Sequence, residues 1–298
     1  MYISIVAICV CAVFATIFFA LPAYHYRQAE DALNDGDYRK AAAEFDAAGD
    51  YRDASIREVN ARRSLEIVDD KSCEFGEWRG MPVKWRVLSV EDGRALLISE
   101  DILAVRQYDG LDEYNNPDGP SDWENAEVTW ADSDIRAWLN DDFLNEIFSM
   151  EEQKSILLSE IPNPDNMEYG TPGGKKTEDK LFLLSTDEAT KYFKDYEDRI
   201  AEFMMEQADL EYELKVYGEY YDIDQDNLDD YERYTRDKYL NQKQEFLWWL
   251  RSPGNSGYHA AFVHDYGYIY DIDFNVRTFL GVRPALYIDL GSGIRSGA

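Results

Sequence analysis

The chain has 298 residues, 45% hydrophobic and 14% aromatic, with 60 acidic against 30 basic side chains and a net charge of -30. Such a length and apolar content suffice for a packed core in one large or two modest domains. The charge argues against binding nucleic acid or anionic lipid heads, and suits a solvated surface, divalent cations or basic partners.

Residues Tyr2 to Ala23 are almost wholly apolar, and the first basic side chain is Arg27. About twenty such residues cross a hydrocarbon core. A signal peptide would have a basic start and a clear small-residue cleavage site, so an uncleaved anchor over residues 1–24 is the preferred reading. It implies a single-pass protein of the cell membrane with the bulk of the chain outside.

Residues 25–68 turn helical. Ala29, Ala32 and Leu33 recur at helical spacing, Asn34-Asp35-Gly36-Asp37 interrupts, and Ala41, Ala42 and Phe45 follow. Gly49-Asp50-Tyr51 echoes Gly36-Asp37-Tyr38 and starts a third helix. The spacing resembles about one and a half tetratricopeptide repeats. Stable solenoids usually need three, so a helical stalk is favoured over a peptide-binding groove.

A composition shift near Asp69 opens a globular domain over 69–290, with residues 291–298 as a tail. Phe75 to Leu88 reads as a hairpin turning at Glu77 to Gly80. Asp92-Gly93 is the next turn, and Arg94 to Ser99 a buried strand. Tyr108 to Glu127 reads as a polar loop. From Thr129 the pattern is helical, with Ile135, Trp138 and Leu139 on one face and Asn140-Asp141-Asp142 as a short break. Leu181 to Ser185 reads as another buried strand, and Thr186 opens a helix.

The blocks Trp130…Ser133-x-Ile135-Arg136-x-Trp138-Leu139-Asn140, Lys180 to Ser185, Trp248-Trp249-Leu250-Arg251-Ser252-Pro253-Gly254 and Gly281-Val282-Arg283-Pro284-Ala285-Leu286 resemble a bacterial domain family of unknown function. That family is common in surface and membrane-anchored proteins of Gram-positive bacteria. It in turn resembles the C-type-lectin-like fold shared with formylglycine-generating enzymes and with retroelement-diversified receptors. The resemblance implies an α+β domain with a small twisted antiparallel sheet, flanking helices and long loops. It implies no activity.

An acidic helical insertion over about 195–243 departs from the compact pattern, with a helix expected from Arg199 to Lys215. Asp222, Asp224 and Asp226 form the carboxylate start of a calcium loop. However, Asn227 takes the glycine position and Arg233 the bidentate acid position. A weak calcium site and a solvated acidic hairpin both remain open there, and no other cofactor is expected.

Three cysteines, Cys9, Cys11 and Cys73, leave no disulfide pair within the domain and no zinc spacing. The copper-binding cysteine pair of the formylglycine-generating relatives is therefore lacking. His259, His264 and Asp265 are not spaced like a facial triad. Arg136, Trp138, Trp248, Trp249, Arg251 and Arg283 read as framework, with a fork for an anion as the alternative for the last two arginines. If Trp248 to Ser252 is a strand, its two tryptophans face opposite sides. The segment between the last two blocks alternates aromatic, small and polar groups, with Ala261 and Val263 inward and Phe262 and His264 outward. Tyr258, His259, His264, Tyr266, Tyr268, Tyr270, Asp271 and Asp273 are the expected ligand contacts, since tyrosines give rigid area with polar tips. The expected function is a non-catalytic module binding a glycan, peptide or surface protein. An enzyme using loop carboxylates, or docking through the acidic insertion, are the alternatives.

Overall fold

The computed structural model describes residues 20–110, 127–204, 246–272 and 274–291. They form two compact units: the first holds the N-terminal helices with residues 87–96 and the end of the chain, the second residues 75–86 and 97–287.

In the first unit, α1 (Leu21–Asn34), α2 (Tyr38–Ala48) and α3 (Ala54–Asp69) follow one another. The α1–α2 turn uses Gly36 at φ 74°, and Asp37 caps α2 by accepting from the Lys40 amide at 3.0 Å. The two helices approach through alanines: Ala29, Ala32, Ala41, Ala42 and Ala48 are all buried, with Phe45 among them. The Tyr26 hydroxyl ties α1 to the start of α3, donating to Asp53 at 2.5 Å and accepting from Arg57 at 2.9 Å. Arg57 also bonds Glu30. Among the described residues no helix is long and apolar enough to cross a membrane. Most of the expected anchor, residues 1–19, lies outside them, and Leu21 to Ala23 begin α1.

Beyond the three helices the chain is α+β. One five-stranded sheet has the order β1-β2-β3-β12-β7, from β1 (Ser72–Trp78), β2 (Met81–Glu91), β3 (Arg94–Ser99), β12 (Ala285–Asp289) and β7 (Leu181–Phe182). The other has the order β10-β9-β8-β11-β4, from β10 (Ile269–Tyr270), β9 (Ala260–Val263), β8 (Trp248–Pro253), β11 (Phe279–Val282) and β4 (Ala104–Gln107). This sheet is mixed: β11 runs antiparallel to β4 and parallel to β8. Gly281 sits where those strands meet, and a methyl group there would lie 2.9 Å from both Ile102 and the Leu247 carbonyl oxygen. A β5 (Ser159–Ile161) and β6 (Thr177–Asp179) pair completes the strands.

Four expectations need correction. Asn140-Asp141-Asp142 does not break the helix: α4 (Asp134–Trp138) runs through a π-helical turn, Leu139–Phe143, into α5 (Leu144–Ile147). The Asn140 side chain explains the widening. It accepts from the Lys180 and Leu181 amides at 2.9 and 3.1 Å and donates to the Leu181 carbonyl at 2.8 Å, acting like one more peptide unit beside β7. The strand expected over Leu181 to Ser185 is only two residues long, because Ser185 leaves it to cap α6 (Thr186–Tyr192). Phe262, expected outside, is buried against Phe274 with ring centroids 4.0 Å apart. Residues 200–204 are not helical, whereas 205–215 and most of the acidic insertion lie outside the described residues.

Most of the largest fully buried side chains are aromatic. Trp85, Trp130, Trp248 and Trp249 are fully buried, so both members of the Trp pair are core. Each indole N–H finds an acceptor: Phe75 carbonyl for Trp85, the Asp179 carboxylate for Trp130, Arg199 carbonyl for Trp248 and Arg106 carbonyl for Trp249. Such pairing removes the penalty of burying a polar N–H with a large ring.

Candidate functional site: an exposed aromatic hairpin

The β9–β10 hairpin carries a run of exposed tyrosines. Val263 pairs with Ile269 and Phe262 with Tyr270. The turn closes when the His264 amide donates to the Tyr268 carbonyl and the Gly267 amide to the His264 carbonyl, both at 2.7 Å. Alternation along β10 then sends Tyr268 and Tyr270 to the face opposite Ile269. Tyr266, Tyr268 and Tyr270 are 63%, 51% and 39% exposed.

The turn is held by a segment far upstream. The rings of Tyr196 and Tyr268 stack 5.1 Å apart and 11° from parallel, and both are exposed. Beneath them Gly267, at φ 77°, lies so close to the Tyr196 backbone that a methyl group would come within 1.7 Å of its carbonyl oxygen. The Arg199 guanidinium donates to the Gly267 carbonyl at 3.2 Å. A second run of rings continues the face: His264 on Tyr266 at 5.3 Å, and Phe262 on Tyr270 at 5.6 Å. His264 also pairs with Asp265.

Asn166 joins a second loop to this hairpin. Its side-chain amide donates to Asp271 at 3.1 Å and to the Pro253 and Gly254 carbonyls. The loop beyond carries Met167 and Tyr169, both exposed.

The expected ligand contacts therefore divide. His264, Tyr266, Tyr268, Tyr270 and Asp271 share the hairpin. Tyr258 and His259 precede β9, about 16 Å back along an extended chain from His264. There His259 bonds Ser256 at 2.8 Å and Asn255 at 2.6 Å, and lines a cleft with Tyr108, Trp130, Asn163 and Arg251. The cleft is too narrow for a water molecule, although the Asn163 Oδ1 within it has no hydrogen-bond partner. Asp273 lies outside the described residues, as do Asp222, Asp224 and Asp226 of the calcium reading. Among the described residues no three His, Cys, Asp or Glu side chains converge on a metal position. Tyr196 and Asn166 escaped the reading of the sequence, because no local pattern links either to the hairpin.

The six framework residues have partners of their own. Arg136 reaches the fully buried Asp179 at 2.7 Å, where Trp130 and Thr177 also donate. Trp138 is half-buried under the Arg106 guanidinium, 3.8 Å from the ring centroid. Arg251, 1% exposed, bonds the Leu183 and Pro162 carbonyls and the carboxylate of Glu188. Arg283, fully buried, donates to the Ser99 carbonyl at 2.8 Å and the Glu100 carbonyl at 2.9 Å, with Trp248 5.2 Å and Phe193 5.5 Å from its guanidinium carbon. Burial pushes its pKa down to about 9, so it keeps its charge at neutral pH. Trp248 and Trp249 lie beneath the hairpin on β8 and pair with Val263 and Phe262 of β9.

Against known families, the domain of unknown function DUF6273 matches residues 92–290. The chain belongs to this family. No curated protein and no solved structure matches it. The DUF6273 span contains the aromatic hairpin, the Asn166 loop, and the Arg251 and Arg283 frameworks, while α1, α2 and α3 precede it.

Proposed function

We propose that this protein is a non-catalytic binding module that receives its ligand on the hairpin of Tyr266, Tyr268 and Tyr270. The observation that carries this reading is the Tyr196–Tyr268 stack, exposed yet fixed by the fit of Gly267 against Tyr196. Rings already held in place lose little conformational entropy when a ligand covers them, which is how rigid aromatic anchors yield affinity. Exposed aromatic area clustered on one turn is also the surface pattern of an interaction site rather than of scattered apolar residues.

In this reading the globular part would take a C-type-lectin-like fold, a likeness carried by the resemblance of its family to that fold and consistent with its α+β class and short strands. The apolar segment 2–19 supports a membrane anchor with the domain outside. The helices that follow it would serve as a tetratricopeptide-like spacer. The test is to screen the full chain against arrays of cell-surface glycans and peptides, beside its Tyr196→Ala/Tyr268→Ala and Tyr196→Phe/Tyr268→Phe variants. The reading requires a ligand that the alanine variant loses and the phenylalanine variant keeps. Ligands bound equally by all three place the site elsewhere.

A further inference from the structure

We infer that the occupant of the aromatic hairpin is a cationic peptide segment, with arginine as its preferred contact. This rests on the binding reading above and adds the chemistry of the partner. The rings supply the contact surface, and the charge around them selects what covers it.

The three segments that build the face are strongly unbalanced in charge. Residues 165–169 and 264–272 each carry two carboxylates, and 195–199 carries three, against the single guanidinium of Arg199. That guanidinium is turned to the Gly267 and Ala189 carbonyls and so holds the turn in place. The negative field acts on the rings directly. A hydrogen bond to Glu197, with the charge of that carboxylate, raises the pKa of the Tyr196 hydroxyl.

Two features favour a cation over a neutral sugar. First, several of these carboxylates already have local partners: Asp271 accepts from Asn166, Asp195 from the Asp198 amide, and Asp265 pairs with His264. They therefore act on a ligand mainly through their field, which concentrates cations and does nothing for a neutral hydroxyl group. Second, a parallel pair of tyrosines offers the negative faces of its rings, and a guanidinium both stacks on such faces and is weakly hydrated. Lysine, compact and strongly hydrated, gains less from the same surface.

The experiment titrates the full chain, in physiological salt, with three synthetic peptides of equal length: alternating Arg-Gly, alternating Lys-Gly and alternating Ser-Gly. The Arg-Gly peptide is expected to bind most tightly, Lys-Gly more weakly and Ser-Gly not at all. Tyr196→Ala/Tyr268→Ala is expected to weaken Arg-Gly binding by about fivefold or more, whereas Tyr196→Phe/Tyr268→Phe retains it because the ring faces remain. Glu197→Gln should weaken binding, and Glu146→Gln, on α5, should leave it unchanged. Equal Arg-Gly affinity in the native chain and the alanine variant overturns the inference, since the attraction would then be the general negative charge of the protein. If the arrays return a neutral ligand that the alanine variant loses while Arg-Gly fails to bind, the cationic partner is refuted and the binding reading stands. If nothing binds the face in either experiment, both fall.

Discussion

Arg251, buried, and Glu188, partly exposed, form a fork in which one carboxylate serves two structures. Glu188 accepts from Arg251 through both oxygens, one of them at 3.0 Å, and also accepts from the Ser185 amide at 2.9 Å, closing the capping box of α6. Arg251 spends its remaining donors on the Leu183 and Pro162 carbonyls. The helix start, the end of β7 and the 162 loop thus meet on one guanidinium.

Removing the carboxylate leaves that guanidinium buried with its charge unbalanced. Glu188→Ala is expected to cost about 2–3 kcal/mol, below the range for a fully buried pair because the carboxylate is partly exposed. Arg251→Met/Glu188→Ala should cost much less than the two single changes added together, because the charges disappear as a pair. Urea unfolding midpoints of the three variants decide this. Additive losses would mean that the pair is not coupled.

Gly267→Ala tests the support of the aromatic face. The alanine faces both a strained backbone conformation and a clash with backbone that cannot move aside like a flexible side chain. The expected result is loss of the Tyr196–Tyr268 stack, read as a change in near-ultraviolet tyrosine circular dichroism, with the far-ultraviolet spectrum kept. An unaltered tyrosine signal would show that the turn does not rest on Tyr196.

Acid should weaken the fold in part through Glu100. Its bond to Arg86 holds its carboxyl below the ordinary value of 4.5. The folded state therefore binds its proton later than the unfolded chain does on acidification. This contribution is complete above about pH 4.5 and is lost as pH falls through the folded pKa. Neighbouring Asp101, pushed up by burial, opposes the trend in the same region. Arg86→Met should flatten the acid limb of a stability-against-pH curve. An unchanged slope would remove Glu100 from the account.

Cys73 should be unreactive. Burial pushes its thiol up to about 12. At pH 8 its thiolate fraction is then on the order of one in ten thousand, and the thiolate is the nucleophile. Alkylation followed by mass spectrometry of the Cys73 peptide should show labelling only after denaturation. Labelling in the folded chain at the rate of a free thiol would contradict the burial.

What was legible in the sequence was what neighbours in the chain decide. The Gly80 turn between β1 and β2, the Asp92-Gly93 turn and the Gly36 break all follow from residues that tolerate positive φ, and alternation or helical spacing marks the elements beside them. The α+β class followed as well. Pairings across long stretches of chain were not legible. β4 lies just before a loop and owes its strand form to β11, and Asn140 reads as a helix breaker until the backbone of β7 is placed beside it. The aromatic run from Tyr266 to Tyr270 could be seen, but its stacking partner Tyr196 could not. Phe262 misled because strict alternation assumes that one face of a strand meets water, and both faces of β9 are covered.

The pairing of β11 has a consequence in time. Its partner β4 is made far earlier: Ala104 waits for Val282, and Leu181 likewise waits for Leu286. At ordinary rates of synthesis the delay between β4 and β11 is on the order of ten to thirty seconds. The three N-terminal helices contact near neighbours in sequence and can form as they emerge, whereas both five-stranded sheets need strands from the last part of the chain. Until then their unpaired edges and tryptophan-rich strands are open to wrong partners. A nascent chain halted between Phe246 and Phe279 would hold most of the residues of the domain and neither of its finished sheets.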